Sequence, residues 1–408
     1  MTGNMKGFRS LLPALLSGMI YQVCAVELHV DGFGTASLSC FSSETADYVL
    51  NDQPEGPGRT RDCDTGIDSL LGVQFDLGLR DSLEFGLQLI ADRNEDRGFN
   101  PDVSVAQLRW RPTAATTLRL GRMPNPAFIH SEDRQVRYAL PWVRPPVEVY
   151  SLIPPFSHDG LEILQEGRIG HWYTEWQGGV SVLDYDSPAS NSDETFPVET
   201  RQAYLGLTLQ DSNHLIKLRY GYARISLERP EMERLFTILQ HLGPVGAGLA
   251  DDLAVDNSPS HMLSLGFQRD MGEWLTIAEF AYRSAEGAIR DQSGAYVTQG
   301  RRFGPWMLYG TLARRISRGD DTDPRARSLG PLLQNAIETL LTRTRFDTTS
   351  ASVGLSRQID EQSTLKFQAD WVQPDKQSWG LYYNHSEDYD YANPDHDWLF
   401  TLSLDFVF

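Results

Sequence analysis

Six basic side chains fall where their charge could act on a passing solute: Arg109, Arg119, Lys217, Arg219, Arg283 and Lys366. Each lies in a run that alternates large apolar residues with polar ones, and each occupies the polar side of its run. Four more charged residues follow Arg119, Arg122 closely and Glu132, Asp133 and Arg134 in the stretch after it. The chemistry on offer is electrostatic. Fixed charges of opposite sign facing each other across a narrow wet space create a transverse field that orients dipoles and sorts ions. Without that opposition they are ordinary solvated groups, and both readings stay open at this point. Covalent chemistry has less support. Ser131 adjoins His130, but neighbours on an extended chain point in opposite directions and neither has an evident third partner. The nine histidines form no cluster with metal-ligand spacing. We therefore expect no catalytic site, no metal and no cofactor.

The elements that must hold these residues are strands. In the last eleven residues Trp398, Phe400, Leu402, Leu404, Phe406 and Phe408 alternate with Thr401, Ser403 and Asp405, so one face is oily and the other polar. The same alternation recurs, for example at Leu71 to Leu79, Ala203 to Leu209 and Leu365 to Trp371. It predicts about sixteen strands, at 27–42, 67–80, 83–92, 103–111, 116–123, 158–168, 171–184, 201–210, 214–228, 261–270, 274–287, 294–303, 306–318, 347–358, 363–373 and 397–408. Short links such as Asp81-Ser82 and Gly304-Pro305 alternate with long ones at 43–66, 93–102, 124–157, 185–200, 229–260, 288–293, 319–346 and 374–396. Short turns on one rim and long loops on the other define an all-β, transmembrane, antiparallel up-and-down barrel with its long loops outside. A sixteen-strand wall is too wide for side chains to fill, so a water-filled interior is the physical expectation. Amphipathic stretches at Glu231 to His241 and Leu329 to Thr342 predict short helices at the outer mouth. Trp142, Tyr150, Trp172, Trp176, Trp306, Tyr309, Tyr382, Tyr383 and Trp398 cluster where strands meet loops, and some should form interfacial girdles.

Composition sets the compartment. Lys6 and Arg9 precede the short apolar run Leu11 to Ile20, and Val23-Cys24-Ala25 follows, the anatomy of a cleaved secretory signal over 1–25 with the barrel at 26–408. The mean hydropathy of −0.37 resembles that of a soluble chain, but half of every barrel strand faces water, so this value excludes nothing. A net charge of −19 argues against nucleic acid as a partner and suits a surface facing lipid and lipopolysaccharide. Cys40 and Cys63 remain after cleavage, and in an oxidising compartment they are either one disulfide or two free thiols.

The signal, the strand count, the Gly121-Arg122 lead-in to a long third loop and the terminal Phe408 together resemble the Gram-negative outer-membrane porin family, across essentially the whole mature chain. Pro141 to Glu148 with Asp159-Gly160 looks like a porin-like group from gamma-proteobacteria, whereas the acidic, Gly-rich constriction motif of the general enterobacterial porins is absent. The resemblance implies export through the periplasm to the outer membrane, with the C-terminal strand ending at Phe408 read by the barrel-insertion machinery. It further implies a homotrimer and passive diffusion of small hydrophilic solutes and ions. Within it, the third loop (124–157) folds inward as the pore constriction. Glu132 and Asp133 form its acidic side, and Arg122 and Arg134 beside them join the basic wall. Lysine occurs only at 6, 217, 366 and 376, so a basic eyelet built on arginine would favour small anionic solutes, the nearest alternative. A barrel-embedded hydrolase and a structural or adhesive barrel are the remaining ones.

Overall fold

The computed structural model describes residues 27–50, 53–93, 98–191 and 194–408; the leader expected over 1–25 lies outside the described residues. Sixteen long strands form a closed antiparallel barrel. The first eight are β1 (Glu27–Phe41), β2 (Leu70–Arg80), β3 (Leu83–Asp92), β4 (Asp102–Thr113), β5 (Thr116–Pro124), β6 (Ser157–Ile169), β7 (Trp172–Pro188) and β8 (Thr195–Gln210). The second eight are β9 (His214–Leu227), β10 (Ser258–Asp270), β11 (Trp274–Ala285), β12 (Asp291–Phe303), β13 (Trp306–Arg318), β14 (Thr348–Gln358), β15 (Ser363–Pro374) and β16 (Asp397–Val407). Each strand pairs with its neighbours in sequence, and β16 returns to β1 from Phe33↔Val407 to Phe41↔Leu399, which leaves no open edge. Closure gives every strand a hydrogen-bonded neighbour on both sides, the condition a spanning sheet must meet.

All sixteen expected strands are present. The largest boundary differences are at 185–200 and 288–293. There β7 and β8 continue their ladder out to Thr195↔Pro188, and β12 already starts at Asp291, so these two links are short. The outward parity also holds: Leu120, Leu161, Leu205, Leu312, Phe400 and Leu402 are exposed, as a lipid-facing stripe requires. Trp110, Trp176, Trp274 and Trp398 stand on the same outer surface. Cys40 and Cys63 are joined by a disulfide, and Cys63–Asp64 adds a two-residue strand beside the top of β1.

The outer mouth carries three helices, α2 (Pro230–Gln240), α3 (Gly243–Leu253) and α4 (Pro331–Thr342), with α1 (Val147–Tyr150) deep in the third loop. The Gly243–Leu253 helix lacks clear amphipathic spacing in sequence. It forms because Leu249, Ala250 and Leu253 bury against Leu239, Ala326 and Ile337 of the neighbouring loop helices.

The interior departs most from expectation. Phe128, Leu140, Trp142, Val149, Tyr150 and Leu152 of the third loop form one apolar core with Leu275, Ile277, Tyr296, Met307 and Tyr309 from the inner faces of β11 to β13. Trp142, Tyr150 and Tyr309 therefore belong to this internal core and not to an interfacial girdle. Nor is the interior all water. A barrel this wide admits a folded loop, and the apolar residues on both faces of β11 give that loop something to bury against.

Candidate functional site

The strand that leads into the third loop passes through Gly121, whose φ of +122° and close approach to the Ala106 carbonyl both require glycine. The neck of the loop is closed by the pair Pro124↔Ser157 and by the Asn125 N–H donating to the Phe156 carbonyl at 2.7 Å. From there it turns inward. Lys217 Nζ on β9 donates to the Phe128 carbonyl at 2.9 Å, and Ser264 Oγ on β10 to the Ala127 carbonyl at 2.6 Å. Glu279 on β11 accepts from the Ile129 N–H (2.8 Å) and the Tyr150 hydroxyl (2.7 Å). Trp142 Nε1 donates to Thr298 on β12, and the Val143 N–H to Gln368 on β15, both at 3.0 Å. At its deepest point the Tyr138 hydroxyl donates to the Glu361 carbonyl (2.8 Å), in the turn between β14 and β15 on the opposite rim. The loop thus crosses the full height of the barrel. Helix α1 lies so close to β12 that a Cβ at Gly294 would come within 2.2 Å of the Glu148 carbonyl oxygen.

Two buried cations fasten the loop. Arg144 donates to Asp370 on β15 at 2.9 Å, to Asp68 at 2.5 Å, and to Thr401 on β16 at 2.5 Å. Lys366 on β15 donates to the carbonyls of Arg137 (2.7 Å), Leu140 (2.7 Å) and Trp142 (3.0 Å) while lying 2.8 Å from Asp405. Thr401, Ser403 and Asp405 face inward by parity, yet the loop covers them.

The expected constriction residues separate into groups. Arg119 on β5 meets Glu132 of the loop at 3.4 Å and Glu162 of β6 at 2.9 Å, which brings wall cation and loop acid together. Burial acts to raise the Glu132 carboxyl pKa, but the Arg119, Lys217 and Arg219 charges outweigh it and hold the group below its ordinary value. Asp133 keeps 45% side-chain exposure and accepts from His130 Nδ1 at 3.0 Å. Arg109 pairs with Asp76 of β2 and with Glu84 of β3 (2.6 Å) further down the wall. Lys217, Arg283 and Lys366 donate to loop carbonyls, so they anchor the loop and do not present a bare charge to a solute. Arg219 makes no hydrogen bond among the described residues, and its Nε and Nη1 are buried without a partner.

Two expectations need correction. Arg122 shares the parity of Leu118 and Leu120, so it points outward, where it pairs with Asp159 at 2.8 Å on the outer face. Arg134 turns back to the base of its own loop, donating to the Pro154 carbonyl (2.8 Å) with its guanidinium over the Phe156 ring. Ser131 does not engage His130: its Oγ accepts from the Phe128 N–H at 2.8 Å. Arg144 and its acids were not among the expected residues. The one available signal was a cation set between Val143 and Pro145 in an apolar stretch, a context that demands buried partners.

No family model matches the sequence, and no curated protein is detectably similar to it. Solved structures are similar in fold. The outer membrane channel DcaP of Acinetobacter baumannii superposes with a TM-score of 0.56 at 11% identity, over 93% of this chain and 97% of that one. An anion-selective porin from Comamonas acidovorans gives 0.52 at 9%, over 94% and 100%. The trimer form of OmpT, an outer membrane protein of Vibrio cholerae, gives 0.54 at 12%, over 93% and 99%. At these identities the likeness concerns the fold. The chain is an integral outer-membrane β-barrel with the porin-like sixteen-strand fold.

Proposed function

We propose that the barrel is a passive diffusion channel for small hydrophilic solutes and ions, narrowed by its third loop and without catalytic activity. The observation that carries this reading is the uneven distribution of covered charge. Ser264, Glu279, Thr298, Lys366 and Thr401 on the inner faces of β10 to β16 bond the loop and are buried by it, whereas Asp76, Glu84 and Arg109 on the facing wall, with Glu132 and Asp133 on the loop, keep side-chain exposures of 18 to 45%. Charged groups that stay wet inside a barrel border a water path, here running between the loop and the wall from β2 to β8. A trimer is proposed by analogy with the trimer form of OmpT from Vibrio cholerae. Liposome swelling tests the reading. Reconstituted protein should admit neutral sugars at rates that fall with solute size while the lipid stays intact. Absence of swelling, or release of fatty acid, would overturn it.

A further inference from the structure

Above the third loop, beneath α2 and α4, lies a cavity of about 810 Å³, within the range of sites that enclose a small ligand. Its lining is set against the charge of the chain. In a protein of net charge −19, the cavity has five arginines, Arg219, Arg229, Arg283, Arg315 and Arg343, and one acid, Glu231. At the mouth, Arg343 is 3.4 Å from Glu231 and the Arg229 guanidinium lies over the Phe196 ring.

The floor is different. Arg283 of β11 and Arg315 of β13 both donate to one neutral oxygen, Gln292 Oε1, each at 2.6 Å. Their other acceptors are also neutral: the Leu152 carbonyl for Arg283 and Ser151 Oγ for Arg315. Arg315 is 4% exposed; Glu148 and Asp347 act on it electrostatically, but none of its hydrogen bonds reaches a carboxylate. Arg219, also 4% exposed, lines the same cavity but lies over Gly206 of β8 with no hydrogen bond among the described residues, where Glu132 of the loop, Glu162 of β6 and Glu175 of β7 act on it. Two guanidinium groups converging on a single amide oxygen form an arrangement that an oxyanion completes, since planar donors match carboxylate geometry. Much of the remaining wall is apolar, including Leu152, Ile153, Met262, Leu235 and Leu340.

We infer that this cavity binds a carboxylate carried on an apolar body, with Arg283 and Arg315 holding the head group and the loop and helix side chains enclosing the body. The inference rests on the channel reading and deepens it, because such a ligand is selected before it reaches the narrow passage. Benzoate, acetate and benzyl alcohol are the probes, applied from the loop side to single channels in a planar bilayer. Benzoate should reduce the current in a saturable way, acetate only weakly, and benzyl alcohol not at all. Arg315→Gln should raise the half-blocking concentration of benzoate roughly tenfold, the loss expected for one charge-assisted hydrogen bond, and Arg315→Lys should fall between. Equal block by benzoate and benzyl alcohol, or an Arg315→Gln channel with unchanged block, would overturn the site. Titration calorimetry of benzoate into the folded protein separates the two claims. Heat of binding that Arg315→Gln abolishes would uphold the site even if the wild type carried no current.

Discussion

Replacing Arg144 with methionine should free the third loop from the wall and raise single-channel conductance. The guanidinium is almost fully enclosed and neutralises two carboxylates, Asp68 and Asp370, which are themselves nearly inaccessible. Methionine fills similar volume but leaves Asp370 buried without its cation and Asp68 with Arg137 as its sole remaining cation among the described residues. Removing one partner of a buried pair costs about 3–5 kcal/mol, chiefly through the uncompensated charge left behind. A penalty of that size offsets several of the remaining contacts along the segment, so the loop should undock more often. Adding Asp68→Asn and Asp370→Asn to the same variant should restore part of the wild-type conductance, because neutral amides tolerate burial better than unpaired carboxylates. A variant with wild-type conductance would show that Arg144 does not hold the loop. The same lock has a pH signature. Burial alone would raise the Asp68 carboxyl, but Arg144 and Arg137 outweigh it and hold it at about 2. A depressed carboxylate stabilises the docked loop above its ordinary value of 3.8 and loses that contribution as pH falls toward about 2. Conductance should therefore be flat from neutral pH down to about 4 and rise below it.

Lys366→Met should produce a comparable effect on the segment just before Arg144. The ammonium supplies the donors for three loop carbonyls, Arg137, Leu140 and Trp142, and balances Asp405. Methionine preserves the stem but leaves those carbonyls and a fully buried carboxylate without their partner. Thr35 Oγ1 remains as a donor to Asp405 at 2.8 Å, which softens the loss without cancelling it. About 3 kcal/mol or more of docking free energy should be lost, enough to expose the 3-10 turn Arg137–Ala139. Trypsin is the direct probe, because Arg134 and Arg137 are shielded while the loop is docked. Cleavage there should accelerate markedly in the variant while the barrel keeps its heat-modifiable mobility. An unchanged cleavage rate would argue that neighbouring contacts hold the segment without Lys366.

The barrel was legible from the sequence because its signal is local. Period-two alternation in each strand fixes which face meets lipid, and Phe400, Leu402 and Leu404 face outward as their parity requires. The length of the third loop marked it as special, and Arg119 with Glu132 is the pairing of wall and loop that charge opposition suggested. Its depth was not legible. It depends on partners far apart in sequence, such as Arg144 with Asp370 or Tyr138 with Glu361, that no spacing rule connects. The parity rule located Lys217, Arg283 and Lys366 on the inner wall correctly but could not separate a cation facing water from one capped by a loop carbonyl. A clue was present in β11, where Leu275 and Ile277 make the supposedly wet face apolar. Polar-in patterning fails where another segment packs, and that failure marked the position of the loop.

The central claim is that charge on the inward loop borders the passage. Reversal potentials in a KCl gradient, measured on single channels of the wild type and of Glu132→Gln/Asp133→Asn, test it most directly. Glu132 is ionised at neutral pH and sits among Arg119, Lys217 and Arg219. Neutralising the two acids should leave those cations opposed only by wall acids such as Glu162 and move the reversal potential toward that of chloride while the channel stays open. An unchanged potential and conductance would contradict the account and remove the third loop's acids from the permeation path.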